Sequence, residues 1–308
     1  MSGNSINGVI NVYKEKGYTS HDVVAKLRGI LKIKKIGHTG TLDPDAEGVL
    51  PVCIGNATKL CDFLTEKDKE YIAELILGKQ TDTQDISGAV QYESDKYQDI
   101  PLEEIEKIIL SFTGEYNQIP PMYSAVKVNG KKLYELARNG IEIERKSRKV
   151  YIHKIMIETI NLPVIRIRVG CSKGTYIRTL CNDIGIKLGT YGCMGALLRT
   201  KSGKFSLENS VRLDRIKEMA DSGTLSESGI IMRTDEILSD YPRLLIKDKY
   251  ENLLLNGNVL TWKMFLETEC KKEDGMMYRI YDSSDKFQAV YGYKENEDIF
   301  KPEKMFKS

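Results

Sequence analysis

The chain has 308 residues, of which 29% are charged and 41% are hydrophobic. This balance excludes an intrinsically disordered or membrane-embedded protein, and the length suffices for two domains or for one large domain with an appended module. The net charge of +2 does not by itself indicate a nucleic-acid partner, because that inference requires clustered positive charge rather than a total.

The first predicted elements are a strand and a helix, followed by a long loop. Val9–Tyr13 is a short apolar strand, and Thr19 or Ser20 is suited to cap the helix that follows. The apolar face of that helix is formed by Val23, Val24, Leu27, Ile30 and Leu31. The next segment, Gly37–Gly55, is rich in Gly, Thr and Pro and is predicted as a loop, broken only by the apolar patch Val49–Ile54.

The middle of the chain alternates strands and helices irregularly. Tyr71–Leu77, Val150–Ile160 and Val164–Val169 have the composition and alternation of strands. Leu102–Phe112 shows helical spacing of its apolar residues, and Thr175 is expected to open a further helix. Because the even rhythm of a doubly wound sheet is not seen, the pattern favours an α+β domain around a mixed or antiparallel sheet.

The last part of the chain changes character. Asp221–Gly229 is a polar linker or surface loop, and short strands follow from about Tyr241 to Ser308. Met277–Tyr281 and Phe287–Tyr291 resemble the two strands of a hairpin. We therefore expect a catalytic or binding domain over residues 1–240 and a small β module over residues 241–308.

The cysteines and the N-terminus indicate a reducing compartment. The six cysteines lie singly, without a CxxC pair or a histidine at zinc-ligand spacing, at positions 53, 61, 171, 181, 193 and 270. Met1–Gly8 is polar and unlike a signal peptide, and no apolar run is long enough to span a bilayer. We expect reduced thiols, no metal site and a cytoplasmic location.

The segment Gly37–Lys59 is the most informative for chemistry, and it reads GHTGTLDPDAEGVLPVCIGNATK. Its small residues leave the backbone free to approach a ligand around Asp43. Spacing alone favours a simple turn, because Asp-Pro often starts one and both Asp43 and Asp45 suit a solvated loop. The two acids also match the DxD of aspartyl-phosphate phosphatases, but no apolar strand precedes them. A glycosidase pair is a further reading that two such close carboxylates fit poorly.

Two other segments carry candidate binding residues. Ser172–Leu180, which reads SKGTYIRTL, delivers Tyr176 and Arg178 near a helix start, where an arginine is usually a surface charge but could instead hold Asp43 ionised. Ile119–Lys154 interleaves basic residues with tyrosines, a composition that suits phosphate neutralisation and base stacking. Its basic residues are Lys127, Lys131, Lys132, Arg138, Arg145, Lys146, Arg148, Lys149 and Lys154.

Taken together, these segments resemble the TruB family of tRNA pseudouridine synthases. The resemblance runs in order from about Gly8 to Thr200 through six motifs. They are GYTSHDVV, GHTGTLDPDAEGVLPVCIGNATK, KEYIAELILGKQTDTQD, PPMYSAVKVNGKKLYELAR, GTYIRTL and GALLRT. One departure is that Glu15 follows Lys14 where the family usually has proline, which loosens a loop near the RNA and leaves the chemistry untouched.

The resemblance implies a pseudouridine synthase fold, with Asp43 as the catalytic aspartate of the GTLDP motif. Tyr71 would stack on the target base, Arg178 would pair with Asp43, and Leu198 would line the base pocket. His38 resembles the family histidine that helps to hold the flipped-out RNA.

The resemblance also implies how the RNA is held. Tyr176, Lys131 and Lys132 would contact the substrate, within and beside a basic insertion at about residues 119–148 that clamps the T arm of tRNA. Residues 241–308 resemble the RNA-binding β domain called PUA.

The implied reaction converts uridine to pseudouridine at position 55 of the T loop. It breaks the N1–C1′ bond and joins C5 to C1′, so it needs a carboxylate and a pocket but no cofactor. We expect a monomer that acts on tRNA without a protein partner. A non-catalytic RNA-binding protein is the principal rival, because the same basic segment and β module would serve it.

Overall fold

A mixed sheet that runs through most of the chain positions most of the candidate residues. The computed structural model describes residues 6–128, 130–266 and 271–306. The strands within these ranges are β1 (Gly8–Lys14), β2 (Ile36–His38), β3 (Glu47–Ile54), β4 (Lys69–Leu77), β5 (Lys79–Thr81), β6 (Val90–Glu93), β7 (Gly114–Gln118), β8 (Lys127–Val128), β9 (Lys131–Lys132), β10 (Arg148–Asn161), β11 (Val164–Cys171), β12 (Gly192–Ser202), β13 (Phe205–Ser206), β14 (Ile231–Met232), β15 (Arg243–Leu245), β16 (Met277–Tyr281), β17 (Phe287–Lys294) and β18 (Ile299–Met305).

The helices cover the sheet on both faces. In chain order they are α1 (Ser20–Leu31), α2 (Cys61–Thr65), α3 (Leu102–Leu110), α4 (Leu133–Arg138), α5 (Ile177–Lys187), α6 (Leu213–Asp221), α7 (Thr234–Ile237) and α8 (Glu251–Leu255). No helix in the described ranges combines the length and the apolar composition that a bilayer crossing requires.

The main sheet has the strand order β14-β1-β3-β12-β4-β11-β10-β7, with β2 paired to β3 and β13 to β12. Its neighbours are antiparallel except β3 and β12, which run parallel. Apolar residues of α3 and α5 pack on β4 and β11 in one core cluster, and those of α1 and α6 pack on β1 and β3 in another. The predicted α+β class with a mixed sheet is therefore confirmed.

A second sheet of four strands, β15-β16-β17-β18, follows in the last part of the chain. Its own core includes Phe265, Tyr278, Tyr291 and Phe300. A further cluster joins it to the main sheet, because Val290 and Phe306 belong to the same buried group as residues of β1 and β3. The predicted small β module is present, and the boundary near residue 240 stays a prediction.

Strands β3 and β12 and the start of α5 are among the elements that differ from the sequence-based expectation. Glu47–Ile54 is a buried strand rather than part of a loop, and it lies between β1 and β12. A strand buried on both faces has a continuous apolar run without alternation, which is why the pattern failed. Strand β12 has bulges and a buried arginine, so no simple alternation marks it. Helix α5 begins at Ile177, because Thr175 belongs to the preceding turn and its hydroxyl donates to the Ser172 carbonyl.

The start of α1 has the capping box that its sequence predicts. Thr19 Oγ1 accepts from the Asp22 backbone N–H at 3.1 Å, and Asp22 Oδ2 accepts from the Thr19 N–H at 2.8 Å. Each bond satisfies a backbone donor that a helix start leaves without an intrahelical partner. This cap fixes the helix end next to the Asp43 loop.

Substitution Thr19→Ala should lower the free energy of unfolding by about 1 kcal/mol, because the N-cap hydrogen bond is removed. Urea denaturation followed by circular dichroism measures the change. The matched control is Thr113→Ala, at an exposed threonine whose hydroxyl makes no hydrogen bond within the described residues. Equal losses in the two variants would contradict the role of the cap.

Candidate active site

Asp43 lies in a loop between β2 and β3 that buried polar contacts hold in place. Leu42, the preceding residue, has only 4% of its surface exposed. Its backbone N–H donates to the hydroxyl of Ser20, at the start of α1, at 2.9 Å. The Asp43 carbonyl accepts from the Ala46 N–H at 3.1 Å, which closes a turn. The loop therefore contains the turn that Asp-Pro predicts, but its backbone is anchored in the core.

A buried lysine holds the same loop from β1. Lys14 is fully buried, and its Nζ donates to the carbonyl oxygens of Pro44 at 3.0 Å and Ala46 at 2.5 Å. Burial lowers the pKa of Lys14 to about 8, while the negative charge of Asp43 opposes this shift. Lys14 therefore stays largely protonated at neutral pH and places a positive charge near Asp43.

Arg178, near the start of α5, holds Asp43 with two nitrogens on one edge of its guanidinium group. Nε lies 3.0 Å from Oδ2 of Asp43, and Nη2 donates to Oδ1 at 3.3 Å. The arginine side chain is 7% exposed, whereas that of Asp43 is 39% exposed. The cation thus lies inside the protein, and the carboxylate it orients remains open to a ligand on one side.

The same guanidinium group joins two other segments to Asp43. Nη1 donates to the Thr83 carbonyl at 3.2 Å and to Oδ2 of Asp85 at 3.4 Å. Nη2 also donates to the Tyr123 carbonyl at 2.8 Å, inside the basic insertion. The second acid at the site is therefore Asp85, and the exposed Asp45 of the DxD interpretation is not a partner of Arg178 among these contacts.

The ionisation of Asp43 is set by opposing influences. Desolvation by the surrounding protein raises the pKa of its carboxyl above the usual 3.8, and the positive charge of Arg178 is the largest influence that lowers it. The negative charge of Asp85 raises this pKa, and the charge of Lys14 lowers it. The net direction is upward, which makes Asp43 a stronger base and nucleophile than a solvated aspartate.

Tyr71 lies on β4, in the same buried cluster as Leu42. Its side chain is nearly buried, and burial raises the pKa of its hydroxyl, so that the group stays neutral. The positive charge of Arg199, the residue opposite it on β12, acts against this rise. Arg199 is 1% exposed and donates through Nε to the Val49 carbonyl at 2.7 Å. This buried arginine therefore holds β3 beside the strand that carries Tyr71.

The strand register separates Leu198 from its neighbour Leu197. On β12, Leu197 lies opposite Ala73 and Arg199 lies opposite Tyr71, whereas Leu198 lies opposite Ile72. Because successive side chains of a strand point to opposite faces, Leu198 lies on the face away from Tyr71. Leu197 is buried in the cluster that contains Tyr71. The pocket role that the resemblance implies for Leu198 stays a prediction.

His38 ends β2 at the entrance to the Asp43 loop. It is half-buried, its Nδ1 accepts from the Gly40 N–H at 3.3 Å, and its ring contacts that of His21 edge-on at 5.3 Å between centroids. Burial lowers the pKa of His38, and the nearby charges of His21 and Arg199 lower it further. His38 is therefore a neutral ring at neutral pH, suited to packing rather than to phosphate pairing.

The remaining candidate residues lie beside the pair or apart from it. Tyr176 is the N-cap of α5, two positions before Arg178, and it is half-buried. Lys131 and Lys132 form β9 within the insertion, and no described contact joins them to Asp43. The structure thus brings five of the predicted residues to one region and leaves these two lysines on the insertion.

Comparison with known proteins places this site in a family. Residues 28–177 match the N-terminal domain of TruB family pseudouridylate synthase, and residues 178–240 match the C-terminal domain of tRNA pseudouridylate synthase B. A protein of Lachnoclostridium phytofermentans named tRNA pseudouridine synthase B is 50% identical over 310 residues, which cover 98% of this chain and all of that one. Its namesake from Clostridium kluyveri is 46% identical over 302 residues, with 98% and 100% covered. The chain belongs to the TruB family.

Solved structures extend the likeness to the whole TruB fold. A Cbf5-Nop10-Gar1 complex aligns with a TM-score of 0.74 and 28% identity over 97% of this chain and 85% of that one. An H/ACA RNP bound to a substrate RNA containing 2′-deoxyuridine aligns with a TM-score of 0.73 and 26% identity, with 98% and 85% covered. The predicted pseudouridine synthase fold is thereby confirmed.

Three residues of this TruB site were missed by sequence reasoning. Asp85 lies in the quoted motif KEYIAELILGKQTDTQD, which contributed only Tyr71 to the predicted site. Arg199 follows the two leucines of GALLRT, and Lys14 precedes the Glu15 departure. Each was visible as a charged residue beside apolar ones, and only the fold shows that all three are substantially buried.

No metal-binding cluster of three or more His, Cys, Asp or Glu side chains occurs in the ranges that the structure describes. The five described cysteines have free thiols, and Cys270 lies outside the described residues. Burial raises the pKa of the Cys171 and Cys193 thiols to about 12 and about 11, so both stay protonated at neutral pH.

Substitution Arg178→Lys should lower kcat on tRNA by about 10²- to 10³-fold although the positive charge is retained, because one ammonium group cannot hold both oxygens of Asp43 and reach Asp85. Single-turnover kinetics with enzyme in excess measures the loss. Arg168→Lys is the control, since Arg168 also binds two carboxylates, Glu158 and Glu70, but outside the site. Near-normal turnover in Arg178→Lys would show that the planar guanidinium group is not required to hold Asp43.

Proposed function

We propose that this TruB family member isomerises uridine to pseudouridine at position 55 in the T loop of tRNA, without a cofactor. One observation carries the proposal, namely that a buried arginine orients the partly exposed carboxylate of Asp43 on an anchored loop. A binding protein has no need to keep such a pair, since a buried charge is costly to desolvate. The names of the relatives from Lachnoclostridium and Clostridium support tRNA as the substrate.

The chemistry begins at Asp43. With its pKa raised by burial, the ionised carboxylate attacks C1′ or stabilises charge there as the N1–C1′ bond breaks, and a route through a glycal starts from the same group. The freed uracil turns within the pocket and C5 joins C1′ as any bond between Asp43 and C1′ breaks. The proton on C5 is then lost and N1 becomes protonated, so the product is an isomer and no external group donor is required. Arg178 keeps the carboxylate aimed throughout, because its own position is fixed by the Thr83 and Tyr123 carbonyls.

The pocket is built to retain the base while it turns. We assign the stacking surface to the Tyr71 ring, which lies opposite Arg199 in the sheet. We assign the apolar wall to Leu197, because it shares the buried cluster of Tyr71. His38 packs as a neutral ring against the everted nucleotide, and Tyr176 lines the side nearest Arg178. Extruding a nucleotide from a folded loop costs a few kcal/mol, which such stacking contacts offset.

The basic insertion at about residues 119–148 supplies phosphate contacts. Lys131 is exposed on β9, and Lys132 lies over the Tyr134 ring at 5.4 Å. Arg145 donates to the Pro120 carbonyl at 3.1 Å, which ties the end of the insertion to its beginning. This arrangement presents lysines on a closed segment that can clamp the T arm.

We further propose a division into a catalytic domain, residues 1–240, and an RNA-binding PUA-like module, residues 241–308. All the residues assigned to the chemistry lie in the first. The protein would act in the cytoplasm as a monomer, since the Asp43 site is assembled from one chain. Its module would extend the contact with tRNA beyond the T arm.

The proposal is tested by incubating the protein with an unmodified tRNA transcript in EDTA and mapping pseudouridine by position. We expect modification at position 55, whereas a metal-dependent phosphatase would lose its activity in the chelator. Modification confined to another position would overturn the T-loop assignment. Binding without any pseudouridine would favour a non-catalytic RNA-binding protein.

Substitution Asp43→Asn should reduce turnover by at least about four orders of magnitude and leave tRNA affinity nearly unchanged, because the charge and the nucleophile are removed while the shape is kept. The matched control is Asp45→Asn, two residues away on the same loop and exposed to solvent. Rates come from single-turnover assays and affinities from filter binding. A comparable loss in Asp45→Asn would instead support a paired-carboxylate mechanism.

Replacing Lys131 and Lys132 with alanine should weaken tRNA binding and flatten its salt dependence, because each phosphate that is no longer neutralised lowers the slope by roughly 0.7 to 0.9 log units per log salt. Turnover at saturating tRNA should change little. The control replaces Lys79 and Lys217, two surface lysines that are each paired with a carboxylate. If the salt dependence of tRNA binding is unchanged in the Lys131 and Lys132 variant, the proposed phosphate contacts of the insertion are wrong.

A further inference from the structure

The side-chain amide of Gln118 is bonded to the start of the helix that carries Arg178. Gln118 is the last residue of β7 and is 1% exposed. Its Oε1 accepts from the backbone N–H of Tyr176 at 2.7 Å, and its Nε2 donates to the carbonyl oxygen of the same residue at 2.8 Å. One buried amide thus satisfies both backbone groups of a residue 58 positions away in the chain.

Tyr176 is the residue at which α5 begins. It is the N-cap with extended backbone angles, and no side chain caps the helix from that position. Its carbonyl also accepts the first helical bond, from the Leu180 N–H at 3.1 Å. Because both Tyr176 backbone groups are held by Gln118, the amide fixes where the helix starts and hence which way Arg178 projects, two residues later.

Gln118 also lies at the root of the basic insertion. It is the partner of Arg148 across β7 and β10, so the two residues form the neck from which residues 119–147 emerge. Within that segment the Tyr123 carbonyl accepts from Arg178 Nη2, the nitrogen that also bonds Asp43. The insertion therefore contacts Arg178 directly through the Tyr123 carbonyl, and Gln118 at its root holds the backbone two residues before Arg178.

We propose that Gln118 is a positioning residue for catalysis, which holds the start of α5 so that Arg178 reaches Asp43 and the insertion at the same time. The inference rests on the proposed function of the Asp43 site. Without the two amide bonds the helix start can shift by a fraction of an ångström, which is enough to spoil the alignment of a reacting group. Tyr71, His38 and the two lysines lie on other elements, so the substrate contacts assigned to them do not depend on this alignment.

If Gln118 only stabilised the packing of β7 on α5, its loss would affect kcat no more than the loss of another bond between these two elements. A neighbouring residue on β7 provides that comparison. Tyr116 lies two positions earlier on β7, and its hydroxyl donates to Asp183 on the same helix α5. That bond joins the same two elements but lies five residues beyond Arg178. Removing it should loosen the packing of β7 on α5 without moving the helix start.

The experiment compares Gln118→Met, which keeps the length of the side chain but forms no amide bonds, with Tyr116→Phe and the unmodified chain. The measurements are thermal unfolding, tRNA affinity, and kcat for total pseudouridine formation at saturating tRNA. We expect Gln118→Met to lower kcat by about ten- to one-hundred-fold, with affinity within about three-fold of the unmodified chain. Tyr116→Phe should keep kcat within about three-fold even if its melting temperature falls equally.

Equal kcat losses in the two variants, or a Gln118→Met loss confined to affinity, would overturn the inference. If Gln118→Met does not fold, Gln118→Asn replaces it, since the shorter amide cannot hold both Tyr176 groups and should still lower kcat selectively. Because total pseudouridine is measured, modification at a position other than 55 would refute the T-loop assignment and leave the comparison of kcat values intact.

Discussion

The guanidinium group of Arg178 is the contact on which the site depends. An arginine side chain stays charged at any ordinary pH, and one that is 7% exposed must have its charge and donors satisfied within the protein. The acceptors are Asp43, Asp85 and the carbonyl oxygens of Thr83 and Tyr123. The Asp43 loop, the segment after β5 and the basic insertion therefore meet at one helix. Removing one of these acceptors leaves a buried guanidinium N–H without its partner.

The balance between burial and the charges around Asp43 explains how the site provides a reactive carboxylate. Burial raises the pKa of Asp43, Arg178 acts most strongly against that rise, and Lys14 acts in the same sense as Arg178. The carboxylate is thus kept available in its charged form while its environment makes it more basic than in water. Asp43 keeps 39% of its side chain exposed, so a nucleotide can reach it without displacing Arg178. A site of this type requires rigid surroundings, which Ser20 and Arg199 provide through backbone contacts.

Local sequence signals correctly predicted elements whose formation depends on their own residues. They failed for features that depend on packing against other elements of the fold. The capping residues of α1 and the alternation of β4 are local features, and both elements formed as expected. Strand β3 was missed because burial on both faces removes alternation, and only the register with β4 shows that Leu197 and Leu198 lie on opposite faces of β12. The contact between Asp43 and Arg178 joins residues 135 positions apart, so no local pattern encodes it. It was expected solely because the ordered motifs resemble a known family.

The balance between burial and Arg178 can be measured at Asp43 itself. Carbon-13 NMR of aspartate-labelled protein, with the Asp43 signal assigned by its disappearance in Asp43→Asn, follows the ionisation of this carboxyl across a pH titration. The account predicts an Asp43 pKa above the usual 3.8 in the unmodified protein and a higher one in Arg178→Gln, because the lowering charge is gone while burial remains. A pKa below 3.8 in the unmodified protein, or one that Arg178→Gln leaves unchanged, would contradict it.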